Sequence, residues 1–175
     1  MSFLERKNNK HMILEKIETT AEAILEKLGI EETPTPIEEV AEALRIRVSK
    51  APSTDFSGML IRKDGHALIG VNSNEVPVRQ RFTIAHELGH YFLHPQKDTF
   101  VDFRKGKNEV RTLRERHADM FAAALLMPRH KLLKDFKKIA KDGLTDNTIE
   151  TLAKQYAVSE DAMRIRLINL SSVVG

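Results

Sequence analysis

"FTIAHELGHYFLH", residues 82–94, carries the pattern His-Glu-x-x-His at His86, Glu87 and His90, and a further histidine at His94. Side chains four residues apart lie on one face of a helix, about 5–6 Å apart at Cβ. His86 and His90 can therefore offer ring nitrogens to one cation, with Glu87 on a neighbouring edge of the same helix. A carboxylate so placed can take a proton from water acidified by a metal ion without ligating the metal itself. A charged helix also matches five such letters by chance now and then, so the reading depends on a third ligand elsewhere.

His94 is one candidate, but a straight helix sets three successive turns along a line and not around a point. A longer pattern, His-Glu-x-x-His-x-x-Gly-x-x-His, escapes this with a glycine turn. Here the corresponding positions hold Leu93 and Gln96. His94 is expected at the helix end, packed behind the ligands or facing the C-terminal dipole. "LRERHADMFAAALLMP", residues 113–128, offers more. Glu115 can complete a His, His, Glu set and leave the fourth position open, as catalytic zinc sites require. Asp119, one turn on, can accept the remaining N–H of a ligand histidine and fix its tautomer. His117 projects about 200° away from Glu115 and is the weaker ligand. The competing reading is a solvated acidic stripe among Arg111, Arg114 and Arg116. Phe121, Ala122, Leu125 and Leu126 speak for burial of this helix just downstream.

The totals constrain the chemistry further. There are no cysteines among the 175 residues, so disulfide frameworks and thiolate-held metals are excluded, and any ion must be held by His, Asp or Glu. Such ligands suit Zn2+ and leave Mn2+ and other divalent ions open. A net charge of +3, from 28 basic and 25 acidic residues, permits an acidic partner without demanding one. The N-terminus has no apolar run suited to a signal peptide, and nowhere do 18 apolar residues run together, so a reducing cytoplasm is the expected compartment, with no membrane partner.

Periodicity predicts a helix over 13–28 ended by Gly29, a short helix from about 36, and a strand at "IRVSK", residues 46–50. Strands over 57–63 and 66–72 flank Asp64-Gly65, a hairpin signal. The motif helix runs from Pro77 to about 93, before Pro95. Residues 96–108 read as a loop, 109–126 as the second ligand helix, and 129–141, 146–156 and 160–170 as further helices. The expected fold class is α+β: a small antiparallel sheet, the motif helix, the second ligand helix and a helical tail. Residues 1–128 are expected to form the catalytic domain, with 129–175 packed on it. The 57–72 hairpin would offer an edge strand to an extended peptide.

"RQRFTIAHELGHYFLH" (79–94), "ERHADMFAAALLMP" (115–128) and "LAKQYAVSEDAMRIRLINL" (152–170) together resemble the ImmA/IrrE metallopeptidases, a gluzincin-like family. The resemblance implies zinc held by His86, His90 and Glu115, with Glu87 as general base. It also implies a protein substrate, a helix-turn-helix repressor whose cleavage switches on mobile-element or stress-response genes. The donor that would stabilise the oxyanion stays open among Tyr91, His117 and Tyr156, with His94 and His130 as further possibilities.

Residues 148–167 also read as a helix-turn-helix, with Ala153 at the small position of its first helix and Val158-Ser159 in the turn. Ala157 stands where a turn glycine is usual, and Arg164 and Arg166 fall on the second helix. Six basic residues between Arg129 and Lys141 would add a phosphate-facing surface. The alternative function is therefore a DNA-binding transcriptional regulator.

Overall fold

The computed structural model describes residues 3–95, 99–103, 112–140 and 143–174. The chain runs α1 (Phe3–Leu28), α2 (Ile37–Ala43), β1 (Ile46–Ala51), β2 (Phe56–Lys63), β3 (His66–Asn72), α3 (Pro77–Leu93), β4 (Thr99–Phe103), α4 (Leu113–Leu126), α5 (Arg129–Ile139), α6 (Asp146–Tyr156) and α7 (Glu160–Val174). This is an α+β fold. Among the described residues no helix is long and apolar enough to cross a membrane.

Local chemistry accounts for most element ends. Asp64 and Gly65 have φ of 50° and 75°, as a tight hairpin turn between β2 and β3 requires. Pro77 opens α3, where its missing N–H costs nothing. Thr112 caps α4 by accepting from the Glu115 backbone N–H. That places the α4 start at Leu113 and not near 109, and residues 109–111 lie outside those described. The signal was present: Thr112-x-x-Glu115 is the spacing of a capping box.

The sheet departs from expectation in two ways. Its order is β1-β3-β2-β4, and β1 runs parallel to β3, so it is mixed and not antiparallel throughout. Part of the expected loop is a strand, since Thr99–Phe103 pairs antiparallel with β2. Five residues flanked by charge carry too little periodicity to announce a strand; β2 supplies the partner. The remaining loop positions, 96–98 and 104–108, lie outside the described residues. In consequence β2 and β3 are both interior, and the 57–72 hairpin has no free edge. The edges belong to β1 and β4.

One apolar core joins the sheet to the helices. Leu60, Ile69 and Val71 from the sheet meet Ile84, Ala85 and Leu88 of α3, and Phe121, Ala122 and Leu125 of α4 lie beyond. Ile17, Ala21 and Leu25 close it from α1.

The tail is tied to the rest by side chains with other expected uses. Arg166, expected on an exposed recognition helix, is 4% exposed and donates to both Glu18 oxygens and to the Met127 carbonyl. Arg164 pairs with Asp146 at 2.7 Å. On the basic helix, Arg129 binds Glu15, Lys131 the Glu31 carbonyl, and Lys138 Asp135. Of the two arginines that would read bases, Arg166 is thus committed within the protein, while the Arg164 pair lies on the surface. Ala157 does occupy the turn, in the left-handed region at φ 50° and ψ 51°. An alanine Cβ is strained there, so Ala157→Gly is expected to raise the unfolding free energy by about 0.5–1 kcal/mol. Urea unfolding measures this, and a loss of stability would contradict the strain.

Candidate metal centre

The centre lies where α3 crosses α4. Gly89 makes the crossing close: a Cβ there would meet Ala118 Cα at 2.9 Å and Ala118 O at 3.0 Å. With the helices so near, Glu115 and Asp119 reach across to α3. At the far end of α3, Arg62 of β2 donates to the carbonyls of His90, Tyr91 and His94, at 3.1, 2.6 and 3.0 Å. The His90 carbonyl also accepts from the His94 N–H at 3.1 Å, whereas those of Tyr91 and His94 lie where the helix runs out of its own donors, and a cation there also suits the helix dipole. Arg62 thereby ties the turn bearing His90 to the sheet.

Three potential ligands converge. His86 Nε2 and His90 Nε2 are 3.1 Å apart, and each lies 3.3 Å from an oxygen of Glu115. Ligands about 2.0–2.1 Å from a tetrahedral ion stand about 3.3 Å from one another, so the triangle fits a single ion of that kind. Among the described residues this is the group placed to hold a metal. His86 Nδ1 donates to Asp119 Oδ1 at 3.0 Å, which turns Nε2 toward the other two as the nitrogen that would ligate an ion.

The electrostatics favour a cation as well. Burial acts to lower the His86 imidazole, but its hydrogen bonds to Asp119 and Glu115 and the charges of Glu87 and Asp119 outweigh it, raising it to about 10. Hydrogen bonds from His86 and His90 hold Glu115 well below the usual carboxylate range. Without metal, a proton on His86 satisfies these acceptors; an ion held by Nε2 would have to displace it.

Glu87, between the two histidines in sequence, is wholly buried. The Phe100 ring stacks on His90 at 4.2 Å and 17°. His94 caps the end of α3, its ring 5.6 Å from His90 and 6.0 Å from Phe100. It stands outside the ligand triangle, and burial lowers its imidazole.

The oxyanion candidates are dispersed. Tyr156 is 1% exposed and its hydroxyl donates to Asp135 of α5 at 2.9 Å. Tyr91 lies under the Arg62 guanidinium, 4.7 Å from its ring centre, beside the hairpin turn. His130 is on the surface, its side chain 88% exposed. His117 lies close enough to His94 for their charges to interact. Sequence reasoning missed Arg62 and Phe100; nothing local marks a strand residue as a helix cap or a ring support.

Residues 41–168 match the Peptidase M78 family model, described as the IrrE N-terminal-like domain. The chain belongs to the ImmA/IrrE metallopeptidase family. It is 34% identical over 96 residues to the radiation response metalloprotease IrrE of Deinococcus radiodurans, covering 54% of this chain and 28% of that protein. It is 32% identical over 89 residues to metallopeptidase ImmA of Bacillus subtilis, covering 51% of this chain and 52% of that one. The IrrE of Deinococcus deserti matches at 34% over 96 residues, covering 54% and 33%. The chain thus spans about half or less of the length of these relatives. An ImmA/IrrE chain with His86 and Asp119 so joined should lose metal affinity when the pair is broken. Asp119→Ala is expected to weaken zinc binding about 10–100-fold. Competition with a chelator reads it out, and unchanged affinity would remove the orienting role.

Proposed function

We propose that this ImmA/IrrE family member is a cytoplasmic zinc endopeptidase that cleaves a helix-turn-helix repressor, relieving repression of mobile-element or stress-response genes. The observation that carries the reading is the triangle of His86 Nε2, His90 Nε2 and Glu115, beside a buried carboxylate one residue from the first ligand. Zinc held there supplies Lewis acidity, polarising the scissile carbonyl and acidifying water. Glu87 takes the proton from the attacking water and returns it to the departing amine. Asp119 keeps the His86 tautomer. With Tyr156 bonded to Asp135, Tyr91 against Arg62 and His130 on the surface, His117 and His94 are the candidates left to donate to the oxyanion.

An extended substrate segment adds to the sheet at β4, whose Phe100 stacks on His90. Residues 1–128 form the catalytic domain in this reading, and 129–175 a supporting tail. The repressor is the substrate class that the family resemblance implies. The test is incubation with zinc and the helix-turn-helix repressors encoded beside its gene, wild type against Glu87→Gln, followed by intact mass. Cleavage by the wild type alone is expected; no cleavage of any repressor would sink the substrate assignment.

A further inference from the structure

Strand β2 meets the metal centre at an irregularity. Phe56 pairs with Phe103 and Gly58 with Asp102, so Ser57 is an extra residue in β2. Such a bulge bends a strand and re-aims the residues beside it. Ser57 is 4% exposed and its hydroxyl donates to Glu75 Oε1 at 2.8 Å, anchoring the bulge to the segment that leads into α3. Gly58, next in the chain, faces α3. A Cβ on it would lie 2.3 Å from Thr83 Cγ2 and 2.9 Å from Glu87 Oε1. Thr83 sits one turn before Glu87 and is itself 2% exposed.

We infer that Gly58 is a positioning residue for Glu87: the bare backbone at the bulge sets where the carboxylate rests beside His86, His90 and Glu115. The two contacts differ in kind. Thr83 is β-branched and stiff at χ1, so crowding it disturbs the helix. The Glu87 carboxylate ends a flexible side chain, so it can swing aside at little cost to the fold. Once the Thr83 methyl is removed, a side chain at position 58 would therefore displace the base more readily than it would unfold the protein. The inference rests on the reading of Glu87 as general base.

The experiment separates the contacts with Gly58→Ala in a Thr83→Ser background, since serine lacks the Cγ2 methyl. Relative to Thr83→Ser alone, the double variant should cleave the repressor with kcat about 100-fold lower and KM within about twofold, the scale of a misplaced catalytic group. Zinc affinity by chelator competition and the melting curve should match the Thr83→Ser parent. Its crystal structure should show the Glu87 carboxylate displaced from the face of residue 58. A kcat equal to the parent, or a carboxylate that has not moved, overturns the inference. Glu87→Gln is the control: if it cleaves like wild type, the reading of Glu87 fails. If it is inactive while the double variant keeps its full kcat, Gly58 alone loses its role. Should the wild type cleave no repressor, the position of Glu87 in the variant's crystal structure still decides.

Discussion

Glu87→Gln is expected to lower kcat for repressor cleavage by about 10²–10⁴-fold, the share a positioned general base supplies. Glutamine keeps the size and shape of the side chain in a space with no exposure. It removes only the ability to accept a proton and hold it. The three atoms of the ligand triangle belong to other residues. Zinc affinity by chelator competition should therefore stay that of the wild type, and the melting temperature should not fall. Single-turnover cleavage at saturating enzyme isolates the chemical step from binding. If the variant cleaves at the wild-type rate, Glu87 is not the base and hydrolysis does not run by this route. If zinc is lost together with activity, the effect lies in the centre's assembly and the base assignment falls.

Arg166→Ala is expected to cost about 3–5 kcal/mol of stability, as removal of one partner from a buried ion pair does. Set against a total of about 5–15 kcal/mol for a domain, that is a large fraction. Arg166 and Glu18 are 4% and 2% exposed. The guanidinium spans the Glu18 carboxylate and also gives Nε and Nη2 to the Met127 carbonyl, at 3.1 and 3.0 Å. It therefore joins α7 to α1 and to the C-terminal cap of α4. Truncation leaves a buried carboxylate with Arg129 Nε still 3.9 Å away, which places the expected loss near the lower bound. Urea unfolding measures it. Glu18→Leu combined with Arg166→Met should recover much of the loss, because no charge is then stranded. A cost for Arg166→Ala of about 0.5 kcal/mol or less, typical of surface changes, would mean that the pair is not buried as described.

The same residue marks where sequence reasoning ran out. On a helical wheel an arginine in the middle of an amphipathic helix reads as a solvated or DNA-facing group. Its partner lies 148 positions away, and nothing near Arg166 announces Glu18. Strand β4 was hidden for a similar reason: its partner is β2, about forty residues earlier, and its own five residues carry no turn or period to declare it. The parallel course of β1 beside β3 follows from β3 lying between β1 and β2, whereas the β2–β3 hairpin is set by two adjacent residues, Asp64 and Gly65.

What the residues determined alone is what acts within about one helical turn. The four-residue spacing put His86 and His90 on one face and Glu115 and Asp119 on another, and Pro77 and the hairpin turn placed the elements that carry them. Backbone torsions and periodicity suffice for this, and they need no distant partner. The tertiary structure alone decided that the two faces meet, through the bare backbone of Gly89 against Ala118. It also decided that Arg62 would close the end of α3, and that the bare backbone of Gly58 would leave room for Thr83 and Glu87. Each of these contacts forms only after the chain has closed a long loop, at an entropic cost that core packing repays and that no local pattern encodes.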